Sequence, residues 1–189
     1  FKAVMSKKVS MCKIKYKTKI EGELVNKSGS GFFCEINDDS IPFKKALFTN
    51  NHVLNETKLE VGGQIEFEYL NEMKKIKITK DRRTFTRKDD KLGMDYTCIE
   101  IFDADEINDF FEIDKTIFGN KNILKNKEIF VLQYPKGGKL KLADGIIMDI
   151  LDNQIKHSAS TLEGSSGSPL IRRYDNSLVL GIHFGGEND

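Results

Sequence analysis

Apolar residues recur at every second position in short runs, which leaves this chain little choice but strands. Ile65, Phe67 and Tyr69 alternate with Glu66 and Glu68. Such a run turns one face to a core and the other to water. Residues 13–19 alternate basic side chains with Ile14, Tyr16 and Thr18, and 20–24 extend that strand. Ile76 and Ile78 alternate with Lys75 and Lys77 beyond a turn at 71–74. Further strands are expected at 32–36, 46–49, 96–102, 128–134 and 178–184, and 155–160 lead into a glycine-serine loop. Residues 140–150 read as a hairpin whose second arm carries Ile146, Ile147, Met148 and Ile150. Turns are expected at 26–31, 38–40 and 135–138, and one short helix at 104–111. Residues 80–91 are strongly charged and read as an exposed loop or edge hairpin with a short strand around Phe85. Many short strands, frequent turns and little helix suit a barrel or a sandwich.

Length and composition narrow the setting. A chain of 189 residues makes one ordinary domain or two small ones. Hydrophobic residues at 39% and charged residues at 31% support a real core and argue against disorder. With 13 Phe and no Trp, Phe must supply most of the aromatic packing. A net charge of +1 gives no pull toward nucleic acid or an anionic membrane. The basic stretch from Lys74 to Lys88 is broken by Asp81 and lacks the interleaved aromatics of a stacking platform, so it reads as a solvated loop. No apolar run is long enough to cross a bilayer, so no membrane insertion is expected, and no signal peptide stands at the start. The chain opens at Phe1, as a processed form or a piece of a larger precursor would. Cys12, Cys34 and Cys98 are too few and too scattered for a disulfide framework or a zinc site. Reduced, buried thiols are expected, which leans toward a cytoplasmic setting over a secreted one.

Four places could carry chemistry. Gly164-Ser165-Ser166-Gly167-Ser168-Pro169 has the residues of a tight turn that holds a serine hydroxyl out and aims backbone N–H groups at a developing oxyanion. The same composition also makes ordinary surface loops. His52 ends an apolar strand after Asn50 and Asn51. It reads as a capping histidine, or as the neutral-pH base such a serine needs. Asp95 opens the strand at 96–102, well placed to stand behind an imidazole; Asp89 and Asp90 fit a turn-closing role equally well. His183 lies in Gly181-Ile182-His183-Phe184-Gly185-Gly186. It is either a packed strand histidine or a residue at a close approach to a ligand. No cofactor is called for, and no metal, since three histidines this far apart lack metal-ligand spacing.

The order His, Asp, Ser along one chain is that of the chymotrypsin-like proteases, and this chain resembles that trypsin-like family. The motifs are Thr49-Asn50-Asn51-His52, Asp95-Tyr96-Thr97-Cys98 and the serine loop, in which the resemblance selects Ser166. Gly29-Ser30-Gly31-Phe32 and Tyr134-Pro135-Lys136-Gly137 are similar to further family strings. The string through His183 resembles the glutamyl endopeptidase branch, with Phe184 where that branch has Trp.

The resemblance implies an all-β fold of two packed six-stranded antiparallel β-barrels, the second without its last strand and C-terminal helix here. The division is expected as 1–88, carrying His52, and 89–189, carrying Ser166, with Asp95 near the junction. It implies a serine endopeptidase with His52, Asp95 and Ser166 as catalytic triad and the amides of Gly164 and Ser166 as oxyanion hole. Thr161 and His183 would line a partly positive pocket for Glu, less readily Asp, and Phe184 and Gly185 would pair with substrate backbone. The branch also uses its free N-terminus near that pocket, a role Phe1 does not map onto. The expected partners are a protein or peptide substrate, and a C-terminal segment or regulatory domains of a larger precursor. The competing reading is a catalytically impaired domain of this fold that binds or regulates.

Overall fold

The computed structural model describes residues 7–174 and 178–185. Its first sheet contains β1 (Met11–Ile20), β2 (Glu23–Glu35), β3 (Lys45–Thr49), β4 (Gln64–Tyr69), β5 (Glu72–Lys77), β6 (Thr84–Asp89) and β7 (Met94–Glu100). They are ordered β5-β4-β1-β2-β3-β7-β6, and the short β8 (Phe111–Glu112) runs parallel to β2. The second sheet contains β9 (Glu128–Gln133), β10 (Lys141–Leu151), β11 (Gln154–His157), β12 (Pro169–Arg172) and β13 (Val179–Ile182), ordered β11-β10-β9-β12-β13. Both sheets curl, giving the nearly all-β, two-barrel trypsin-like fold. The first departs from six strands because the charged stretch 84–89 forms an edge strand and Phe111–Glu112 adds a parallel one. The second has five among the described residues. No helix among them is long and apolar enough to cross a membrane.

Alternation in the sequence becomes burial in the sheets. Ile65, Phe67 and Tyr69 of β4 are buried while the residues between them are not. Phe33 of β2 meets Phe67, Tyr69 and Phe110 with ring centroids 5.4–6.4 Å apart. Each such ring removed from water stabilises the fold by roughly 1.5–3 kcal/mol. A second cluster packs inside the other sheet around Ile129, Val131, Ile147 and Leu170. A third joins the sheets: Met11, Phe32, Cys34 and Phe111 of the first pack with Phe130, Leu132, Ile171 and Val179 of the second. That shared core fixes the serine-bearing sheet against the histidine-bearing one.

Four expectations are corrected. Residues 26–31 are not a turn but the middle of β2, and the chain reverses earlier, at Glu21 and Gly22. Residues 140–150 are not a hairpin but the single strand β10, which pairs with β9 and then with β11. In both places glycine marks close packing. A Cβ at Gly31 would lie 2.8 Å from Ile14 Cδ1, and one at Gly145 2.4 Å from the Ala159 nitrogen. Residues 104–111 hold one 3-10 turn, Asp103–Asp105, because the Asp105 carboxylate turns back to accept from the Phe102 amide and pairs with Arg82. The division at 88/89 falls inside β6, whose hairpin partner β7 carries Asp95 in the first sheet.

The Arg82–Asp105 pair is bidentate, at 2.7 and 2.9 Å, with both side chains under 10% exposed. Arg82 also donates to the Glu100 carbonyl and lies over the Phe102 ring. It ties the approach to β6 to the exit of β7, holding the hairpin that presents Asp95.

Candidate active site

His52 lies one turn beyond β3, and its neighbours fix that turn. Thr49 Oγ1 donates to the Ser30 carbonyl at 2.8 Å. The Val53 and Leu54 amides both bond the Asn50 carbonyl, and Asn50 Nδ2 donates to the Asp95 carbonyl at 2.7 Å. Asn51 Nδ2 reaches Glu56 Oε1 and Thr86 Oγ1. The Asn-Asn pair thus fastens the histidine turn to the β6–β7 hairpin.

Asp95 stands directly behind the imidazole. His52 Nδ1 lies 2.6 Å from Asp95 Oδ2, and the His52 amide donates to Asp95 Oδ1 at 3.2 Å. Asp89 and Asp90 are engaged elsewhere, with Arg87 and Lys88. Burial alone would raise the Asp95 pKa. The hydrogen bond and charge of His52, with the amides of His52 and Asn51, outweigh it and hold the carboxyl below its ordinary value. An ionised Asp95 accepts the Nδ1 proton, which leaves the basic lone pair of His52 on Nε2.

The serine loop separates its three hydroxyls. Ser165 is fully buried, with Oγ donating to Gln133 Oε1 and accepting from the Leu162 amide. Ser168 is fully buried too. Ser166 alone is partly exposed, and it lines a cleft of about 1700 Å³ that runs between the sheets past Asp95, Thr161 and His183. Ser166 Oγ has no hydrogen-bond partner among the described residues. In unliganded sites a catalytic contact is often long and tightens when substrate binds.

The orientation of two amides in the same loop follows from the carbonyls that precede them. The carbonyl and amide of a trans peptide unit face in opposite directions. The Glu163 carbonyl accepts from the Lys136 amide and the Ser165 carbonyl from the Ser168 amide. The Gly164 and Ser166 amides therefore point away from those bonds, and neither has an acceptor among the described residues. Gly167 is required here. Its φ is +87°, and a Cβ would meet the Ser30 carbonyl oxygen at 2.0 Å.

Two positioning residues carried little sequence signal. Ser30 is buried in β2; its amide donates to the Ser166 carbonyl at 2.8 Å and its Oγ to the Gly164 carbonyl at 2.9 Å, while that Oγ accepts from the Tyr134 amide. One serine of the first sheet thus holds both ends of the serine loop. In the sequence it stands only within Gly29-Ser30-Gly31-Phe32, a family-like string whose small residues also describe a turn. Gln133 is buried beneath the loop, taking the Ser165 hydroxyl and donating to the Ser160 carbonyl beside Thr161. A glutamine ending an apolar strand gives no such hint.

His183, Phe184 and Gly185 all line the cleft with Thr161. Gly186 and Phe1 lie outside the described residues. His183 is 6% exposed. Burial, then the charges of His157 and His52, push its pKa down to about 4. That shift favours the neutral imidazole in the unliganded pocket, where a partly positive one was expected. His157, which drew no attention in the sequence, packs against it. Among the described residues no group of three His, Cys, Asp or Glu side chains converges as metal ligands would. The three cysteines are buried and not joined in disulfides, and burial raises the thiols of Cys12 and Cys98, which suits packing and not nucleophilic attack.

Known proteins share this fold. The model of the trypsin-like peptidase domain matches residues 29–182. No curated protein is similar in sequence. Among solved structures, the chain is similar to the Rv3671c protease of M. tuberculosis. Its inactive form aligns with a TM-score of 0.64 at 16% identity, over 98% of this chain and 82% of that one. The active form aligns with a TM-score of 0.64 at 18% identity, over 97% and 73%. A serine endoprotease from Yersinia pestis aligns with a TM-score of 0.62 at 16% identity, over 96% of this chain and 56% of that one. At these identities the solved structures speak for the fold.

Proposed function

The chain belongs to the trypsin-like peptidase domain family, and from that premise we propose that it is a serine endopeptidase acting through His52, Asp95 and Ser166. The observation that carries the proposal is the 2.6 Å His52–Asp95 contact together with a cleft that Asp95 lines and that, of the loop's three serines, Ser166 alone reaches. His52 Nε2 takes the Ser166 proton as Oγ attacks a peptide carbonyl, and Asp95 stabilises the imidazolium. The Gly164 and Ser166 amides receive the oxyanion. His52 then protonates the leaving amine, and water releases the acyl group by the same steps. Phe184 and Gly185, exposed beyond β13, pair with the substrate backbone as an added strand. The side chain before the cleaved bond enters beside Thr161 and His183, and Glu is preferred over Asp. A hydroxyl and an imidazole N–H support that preference, since both donate to a carboxylate.

Hydrolysis of a peptide library varied at the cleaved position tests both parts. Cleavage abolished in Ser166→Ala and concentrated after Glu is the expected result. Cleavage after Arg, Lys or Leu removes the specificity assignment. A folded protein that cleaves nothing makes the domain a binding or regulatory module instead.

A further inference from the structure

Two of the three histidines, far apart in sequence, meet in the cleft wall. His157, the last residue of β11, sets its ring edge-to-face against that of His183, with centroids 5.3 Å apart and His157 Nε2 3.3 Å from His183 Nδ1. In that contact one nitrogen must carry the proton and the other must accept it. The far side of His157 decides which. Its Nδ1 is buried and has no hydrogen-bond partner among the described residues. An orphaned buried N–H is rarer in folded proteins than an under-used acceptor, and stranding either costs about 1–3 kcal/mol. The bare nitrogen is therefore Nδ1, and His157 Nε2–H donates to His183 Nδ1. This leaves the proton of His183 on Nε2, a nitrogen with no protein partner among the described residues and with access to the cleft.

We infer that His157 is a specificity-determining positioning residue: its Nε2–H holds His183 in the Nε2–H tautomer, so that the pocket offers an acidic substrate side chain a donor and not a lone pair. Because burial keeps His183 uncharged near neutrality, the tautomer, more than charge, sets whether a carboxylate is welcomed or repelled. The role rests on the acidic specificity proposed above; the tautomer does not.

The test uses the full chain carrying Ser166→Ala, so that bound peptides are not cleaved. Long-range proton–nitrogen correlation spectra at neutral pH read the tautomers directly. The expected result is protonated Nε2 on both rings, a mixed tautomer of His183 in His157→Phe, and recovery in His157→Gln, whose amide can still donate. Binding of peptides ending in Glu or Gln is measured alongside. The preference for Glu falls about tenfold or more in His157→Phe, the scale of one hydrogen bond to a charged group, and returns in His157→Gln. Protonation of His183 on Nδ1 in the parent protein overturns the inference without reference to any substrate. A Glu preference unchanged in His157→Phe overturns it with the specificity reading intact. No Glu preference in the parent, with the tautomers as expected, overturns the assigned role through failure of that reading.

Discussion

Replacing Asp95 by Asn keeps the shape of the site and removes its charge. The carboxylate now accepts twice from His52, at 2.6 Å from Nδ1 and 3.2 Å from the amide. Its side chain is 10% exposed, so solvent screens it only slightly. At an effective dielectric constant of about 20, unit charges about 4 Å apart attract by about 4 kcal/mol. That attraction is felt when His52 becomes an imidazolium, so its loss slows proton removal by about three powers of ten. An Asn amide turned toward Nδ1 adds a further penalty, because it drives the imidazole proton to Nε2, where it blocks the base. The total approaches the loss of about 10⁴ that a wrong-tautomer imidazole costs a Ser-His-Asp site. The assay is the second-order rate of reaction with a fluorophosphonate, measured beside peptide kcat/KM, with a thermal melt to show that the variant folds. A folded Asp95→Asn protein within tenfold of the parent would refute the reasoning, since no imidazolium would then depend on this carboxylate.

Other consequences are open to measurement. Gly167→Ala should cost about 1–2 kcal/mol of backbone strain plus about 1–3 kcal/mol of overpacking against Ser30 and should abolish cleavage. Gly62→Ala, also at positive φ but with open space around its Cβ, should cost the strain alone and leave cleavage intact; equal denaturation midpoints for the two would contradict this. Asp105→Asn leaves the Arg82 charge buried without its partner and should lower stability by about 3–5 kcal/mol, read from urea melts. His183 has an ordinary pKa of 6.5 and a folded value of about 4. Between those values the unfolded chain binds the extra proton, so its contribution is full above pH 6.5 and is lost as pH falls toward 4. The parent should lose about 3 kcal/mol across that window that His183→Phe does not lose; parallel stability curves would remove the assignment.

What the sequence disclosed follows the range of the forces involved. Period-two burial is local, so β4 could be read from Ile65, Phe67 and Tyr69 alone. Glycine was ambiguous because one residue type serves both turns and tight packing. Gly31 therefore fell within an expected turn and Gly145 within an expected hairpin, when each packs against a neighbouring segment. Asp89, Asp90 and Asp95 were equivalent on local grounds, and only the pairing of β7 with β3 and β6 sets Asp95 behind His52. Ser30, Gln133 and His157 act through partners 26 to 136 residues away. No local pattern marks such residues, because their chemistry exists only after the two sheets have docked through Phe32, Phe111, Phe130 and Ile171. The lowered pKa of His183 is hidden from the sequence for the same reason, as burial by distant strands is its first cause.

The account stands on one hydroxyl being activated for attack. Incubating the folded protein with a fluorophosphonate and locating the adduct by peptide mass spectrometry tests this directly. The adduct should fall on Ser166, vanish in Ser166→Ala and persist in Ser168→Ala. An adduct on another residue, or none on a protein whose melt shows it folded, would contradict it.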